Sequence, residues 1–107
     1  MDILGKETLF EYCELHPNAR SSIEDWIVAM EVEQFNIPQD IKNKFSSVDF
    51  LPKNHCIFNI NGNHHRLFVK VIYVAGRIIV QWIGTHAEYN KKDFNNSLKE
   101  NDYVDID

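Results

Sequence analysis

Hydrophobic positions along this chain keep a helical period up to about residue 50 and then switch to strict alternation. Between Lys6 and Leu15, Leu9, Phe10 and Cys13 recur at helical spacing. The next stretch, HPNARSSIEDWIVAMEVEQF, puts Ala19, Ile23, Trp26, Ile27 and Met30 on one stripe, with Pro17 near its start. Glu24, Asp25, Glu31 and Glu33 fall mostly on the other side, as a solvated face. Asn36-Ile37-Pro38 breaks that helix, and a short third one buries Ile41 and Phe45, helped by an Asp40/Lys44 pair at i,i+4. From His55 onward the run HCIFNINGNHHRLFVKVIYVAGRIIVQWIGTHAEYNK reads as a three-stranded antiparallel meander. The expected order is three helices, then strands.

Turn chemistry sets the expected register. Asn61-Gly62-Asn63 is a strong tight-turn signal and Ala75-Gly76 a weaker one. The first places Asn59 opposite Arg66, Phe58 opposite Leu67 and Cys56 opposite Val69. The second places Tyr73 opposite Ile78, Val71 opposite Val80, Lys70 opposite Gln81 and Arg66 opposite Thr85. Alternation then sorts the side chains into two faces. Phe58, Leu67, Val69, Val71, Tyr73, Ile78, Val80 and Trp82 pack on the helices. Asn59, Arg66, Lys70, Gln81 and Thr85 share the other face with Ile57, Phe68, Ile72 and Ile83. His86 and Tyr89 follow the last strand and can fold back over that second face. Cationic and amide side chains on a sheet face, where hydrophobes would cost less, point to a phosphate-bearing ligand.

Charge sharpens this picture. The chain has 107 residues and a net charge of −5, which argues against a nucleic-acid binder until it is divided. Met1 to Leu51 carries 4 Lys/Arg against 10 Asp/Glu, Pro52 to Phe94 carries 6 against 2, and Asn95 to Asp107 carries 1 against 4. The strand region is locally basic and holds His55, His64, His65 and His86. The length suits one domain, assigned to residues 1–95, with 96–107 as an acidic, flexible tail. No apolar run is long enough for a bilayer, and the N-terminus lacks a basic segment before an apolar one, so a cytoplasmic location is expected. Cys13 and Cys56 sit inside patterned elements and read as small buried hydrophobes. His64 and His65 are adjacent on a strand and point to opposite faces, and no Cys/His spacing supports a metal site. Neither metal nor other cofactor is expected.

The run FNINGNHHRLFVKVIY, followed after the turn by IGTHAEYNK, resembles the HigB-type toxins of bacterial toxin–antitoxin modules, within the wider RelE/ParE toxin superfamily. HPNARSSIEDWIVAME and FSSVDFLPKNHCIFNI are similar to that family too, so the resemblance extends from about Ile3 to Lys92. Two features depart from it. His65 stands where members commonly carry an aromatic such as Tyr, and the chain is acidic where members are commonly basic. The resemblance implies an α+β, RelE-like fold: N-terminal helices on one face of a twisted, mainly antiparallel sheet, with a short C-terminal helix or tail. It also implies an endoribonuclease (an mRNA interferase) cutting translated messenger RNA in the ribosomal A site. The implied partner is a cognate helix-turn-helix antitoxin, with DNA contacted only through that antitoxin.

Arg66 matches the arginine of the GN-x-x-RL motif, and Thr85, His86, Glu88 and Tyr89 match the GTHAEY segment at the active-site end of the superfamily sheet. Metal-free cleavage needs a proton taken from the ribose 2′-OH, a stabilised phosphorane and a protonated leaving oxygen. Arg66 suits the phosphorane because a guanidinium is permanently charged and meets phosphate oxygens in pairs. An imidazole both takes and gives protons near neutrality, which suits His86. Tyr89 completes the catalytic set by orienting the nucleotide or sharing a proton. Asn59, Asn61, Lys70, Gln81, Thr85 and Lys91 are the expected substrate-binding residues, although Asn61 also suits a purely turn-forming role. The alternatives on the same fold are a ParE-like gyrase inhibitor without nuclease activity and a degenerate antitoxin-binding module.

Overall fold

In the computed structural model, which describes residues 1–94, the elements run β1 (Asp2–Leu4), α1 (Lys6–Leu15), a 3-10 turn (Pro17–Ala19), α2 (Arg20–Val32), α3 (Pro38–Lys44), β2 (Asp49–Leu51), β3 (His55–Ile60), β4 (His65–Ile72), β5 (Arg77–Thr85) and α4 (His86–Asn90). The expected acidic tail, 96–107, lies outside the described residues. One five-stranded sheet has the order β1-β5-β4-β3-β2, antiparallel except where β1 runs parallel to β5. The fold is the expected α+β arrangement, with the N-terminal helices on one face of the sheet and the short helix α4 at its end.

The second and third helical stripes are where the periodicity placed them. In α1, Leu9 and Cys13 are buried as expected, but Phe10 is exposed and Tyr12 takes the buried place. Leu9, Ile23, Met30 and Ile41 are fully buried and share one core with Phe58, Leu67, Val69, Val71 and Ile78 of the sheet. Each such side chain contributes about 1.5–3 kcal/mol by leaving water. Cys13 and Cys56 are free and buried, and burial pushes the Cys56 thiol up to about 12, so it stays protonated and inert. The helix-end electrostatics differ from expectation. Asp40 does not pair with Lys44; its carboxylate accepts from the Asn36 and Ile37 amides at 2.8 and 3.2 Å, satisfying donors at the start of α3. Lys44 pairs instead with Glu33 at 3.0 Å.

Two short strands were not legible in the pattern. β1 pairs with β5 with Asp2 opposite Arg77 and Ile3 opposite Ile78, and β2 pairs with β3. Strands of three residues carry too little alternation to announce themselves, and only the exposed backbone of the meander recruits them. The chain leaves β1 through Gly5 at φ 97, where an added Cβ would lie 3.1 Å from Val80 Cβ. Both the backbone conformation and the close strand favour glycine there.

The β3–β4 hairpin has the expected register, including Asn59 opposite Arg66. The β4–β5 register is different. Its loop is Tyr73–Gly76, so Val71 faces Ile78, Lys70 faces Ile79 and Val69 faces Val80. A bulge then makes Phe68 face Trp82 and Arg66 face Gly84, leaving Gln81 as the extra residue. The outer shift of two keeps each side chain on its expected face. Beyond the bulge the shift is one, which exchanges the faces. Ile83 therefore packs with the helix-side core. Trp82, expected there, joins Ile57, Phe68, Leu51, Tyr89 and Phe94 in a second apolar cluster on the other face.

Candidate active site

Local sequence explains how the chain turns at the end of the sheet. Asn61 and Gly62 both take positive φ, 52 and 65, and His64 N donates to Asn61 O at 3.2 Å. Asn61 Nδ2 also donates to Asn18 O at 3.1 Å, tying this turn to the entry of α2. At the end of β5, Thr85 is the N-cap of α4. Its hydroxyl accepts from Glu88 N at 3.2 Å, and Glu88 Oε1 accepts from Thr85 N at 2.8 Å. That bond from the Thr85 amide is the main reason the Glu88 carboxyl stays below its ordinary value. His86 N donates to His64 O at 2.9 Å, so the start of α4 is pinned to the β3–β4 turn.

Arg66 sits where these pieces meet and is only 8% exposed. Its guanidinium donates to Asn63 O and His65 O at 3.3 and 3.2 Å and to Asn63 Oδ1, and it lies over the Tyr89 ring at 5.5 Å. No carboxylate pairs with it among the described residues. The expected ladder partner was Thr85, but Gly84 occupies that place. An added Cβ at Gly84 would overlap the Trp82 ring and approach Glu88 Oε1 to 3.0 Å. The bulge, the glycine and the α4 cap thus work together: Trp82 crosses the gap that Gly84 leaves, and α4 closes over Arg66.

Arg66, Thr85, His86 and Tyr89 are gathered at this one end of the sheet. Other candidate residues are dispersed. Asn59 is the ladder partner of Arg66, yet it lines, with Asn61, a separate groove of about 600 Å³ against Trp26, Val32 and Phe45. Lys70 lies four residues along β4 from Arg66, roughly 13 Å away at ~3.3 Å per residue. Gln81 is exposed at the bulge. Lys91 is exposed at the end of α4, where its charge also favours ionised Glu88.

Three further histidine rings stand beside this site; sequence reasoning passed over His16 and weighed His64 and His65 together only as metal ligands. His16, Asn18, Asn63, His64, His65 and His86 line a cleft of about 470 Å³. His65 is 3% exposed, and its Nδ1 is 2.7 Å from the Tyr12 hydroxyl. Burial, followed by the nearby His16 and His64, holds the His65 pKa below its ordinary 6.5. Burial likewise raises Tyr12 to about 12. The only signal for this cluster was the number of histidines, since His16 and His65 are far apart in the chain.

The depressed His65 value has a consequence for stability. The unfolded chain binds this proton more readily than the folded one, so the contribution of neutral His65 is complete above pH 6.5. It is lost as pH falls through the lower folded value. Urea unfolding from pH 7.5 down to 5 should show wild type losing stability more steeply than His65→Phe. Parallel curves would contradict this.

Residues 19–92 match the HigB toxin family, described as the RelE-like toxic component of a toxin–antitoxin system. An mRNA interferase HigB of Escherichia coli O6:H1 is 26% identical over 93 residues, spanning 85% of this chain and 90% of that protein. The mRNA interferase toxin HigB of Escherichia coli K12 and the mRNA interferase HigB of Shigella flexneri are each 25% identical over 93 residues, spanning 84% of this chain and 88% of theirs. No helix among the described residues is long and apolar enough to cross a membrane. With well over half its length matched, the chain belongs to the HigB family of RelE-like toxins from toxin–antitoxin systems.

Proposed function

We propose that this protein is an endoribonuclease that cuts messenger RNA by attack of a ribose 2′-OH on the adjacent phosphate. The 2′-oxygen bonds to phosphorus, the bond to the 5′-oxygen breaks, and the products are a 2′,3′-cyclic phosphate and a free 5′-OH. One proton leaves the 2′-OH and one reaches the departing oxygen. His86 carries proton transfer, Arg66 meets the phosphorane oxygens, and Tyr89 holds the guanidinium plane and faces the nucleotide. Thr85, whose hydroxyl is engaged in the cap, acts by placing His86. Lys91, Lys70, Gln81, Asn59 and Asn61 serve as outer contacts along the RNA.

One observation carries this reading. Arg66 is largely buried and has no carboxylate partner among the described residues. A buried charge without a counterion is costly, and an incoming phosphate supplies one. The names of the relatives support mRNA as the substrate class. Work on the ribosome, a cytoplasmic setting and a helix-turn-helix antitoxin complete the proposal.

The test is induced expression followed by mapping of RNA 5′ ends. Cuts carrying 5′-OH ends and confined to translated messages are expected. Intact RNA together with DNA damage and blocked supercoiling would replace this reading with a gyrase-directed toxin. Harmless expression would point to a module retained only for antitoxin binding.

A further inference from the structure

We infer that the histidine cleft beside Arg66 is a nucleobase subsite in which His65 reads an acceptor edge of the base and His16 stacks on its plane. Its identity as a subsite for RNA rests on the nuclease reading. Its capacity to hold a base does not.

Two ring nitrogens of residues that line this cleft, His65 Nε2 and His86 Nδ1, are buried and have no hydrogen-bond partner among the described residues. Leaving such a group dry and unmade costs about 1–3 kcal/mol, and a ligand atom relieves that cost. The hydrogen on His65 can be placed. Tyr12 keeps its proton, and His65 Nδ1 is the hydrogen-bond partner of its hydroxyl among the described residues. Donation from the hydroxyl to Nδ1 satisfies that buried O–H and leaves neutral His65 with its hydrogen on Nε2. The wall of the cleft therefore holds a fixed, uncharged N–H donor, closed to water in this structure, which a ligand reaches by a small shift of the surrounding rings.

The surroundings suit a planar heterocycle better than a phosphate. The His16 ring stacks on Tyr12 at 4.2 Å, and the His65 ring meets Tyr12 edge-on at 5.4 Å, so both are braced. His16 and His64 line the cleft as flat side chains, and the amides of Asn18 and Asn63 are polar without formal charge. Arg66 donates to the Oδ1 of Asn63, which leaves the Asn63 NH₂ as its remaining side-chain donor. Asn63 thereby joins the cleft to the arginine. Arg66 itself does not line the cleft, because it and His65 leave β4 on opposite faces, so the link between a phosphate at Arg66 and a base in the cleft runs around the strand end through Asn63. Aromatic stacking holds bases of any sequence, whereas a fixed donor selects among them.

The test follows histidine ring resonances of the intact wild-type protein during separate titrations with the four nucleoside 3′-monophosphates, ribose 5-phosphate and inorganic phosphate. Before any ligand is added, ring nitrogen shifts should show His65 protonated on Nε2, and Tyr12→Phe should release that preference. Base-bearing ligands should move the His16 and His65 resonances saturably, with affinities that differ among the four bases. Ribose 5-phosphate and inorganic phosphate should leave both rings unmoved. His16→Ala, a partly exposed position, should weaken the best nucleotide by about fivefold or more, the low end of one stacked base. Absence of base-dependent shifts, or equal shifts with ribose 5-phosphate, overturns the subsite even if RNA is cut. Base-dependent binding by a protein that leaves every message intact keeps the subsite and removes the nuclease reading.

Discussion

Arg66→Ala should lower RNA cleavage by about 10²–10³-fold, the usual loss when one preorganised donor to a developing anion is removed. His86→Ala should cost roughly 10²–10⁴-fold, the range for a positioned proton-transfer group. Arg66→Lys is the more informative variant. It keeps the charge but loses the planar fork, which reaches Asn63 and His65 O while lying over Tyr89. Only a fraction of the lost cleavage should return. All three proteins should unfold near the wild-type temperature, because Arg66 and His86 lie at the rim of the sheet and outside the helix-side core. Cutting is measured by primer extension at equal concentrations of folded protein. Full toxicity in both alanine variants would remove these residues from the chemistry.

Gly84→Ala should reduce both stability and cleavage, although Gly84 contacts no substrate in the proposed reaction. The new methyl overlaps the Trp82 ring and presses on Glu88 Oε1. Overpacking of this kind costs about 1–3 kcal/mol. The damage to activity should exceed that share. Relief of the overlap requires Trp82 to shift within the cluster it shares with Phe68 and Phe94, and the tight approach to Glu88 Oε1 loosens its bond to the Thr85 amide, which disturbs the cap that places His86. Misplacement of a catalytic group by about 1 Å costs on the order of 10²-fold. Urea unfolding and primer extension on the same preparation separate the two effects. Wild-type behaviour in both would show that the ring swings aside freely and that the cap does not depend on it.

The net charge of −5 is a poor guide to this surface. Acidic residues are concentrated on the helices, where Glu31 and Glu33 pair with Lys6 and Lys44. The strand half carries the positive excess, and Arg66, Lys91 and Lys92 all stand at or beside α4. Lys92 lies 5.7 Å over the Trp82 ring, so even the aromatic cluster is flanked by a cation. Attraction of an RNA backbone depends on this local field, and its range is about 10 Å at ordinary salt.

Period and turn chemistry determined the helices, the meander, the β3–β4 register and the α+β class. A helical stripe such as Ile23, Ile27 and Met30, or a turn such as Asn61-Gly62, is specified by residues within a few positions of one another. The proximity of Arg66 to the Thr85–Tyr89 segment was legible for the same reason, since two adjacent strands carry both. Tertiary structure alone decided the rest. The bulge at Gln81 exchanges Trp82 and Ile83 between faces because the second apolar cluster and Gly84 together accept the indole, and no local pattern encodes that fit. β1 and β2 exist because an already formed sheet offers them unpaired backbone. Tyr12, His16 and His65 meet only once α1 is docked, since the contacts of a buried imidazole come from elements remote in the chain.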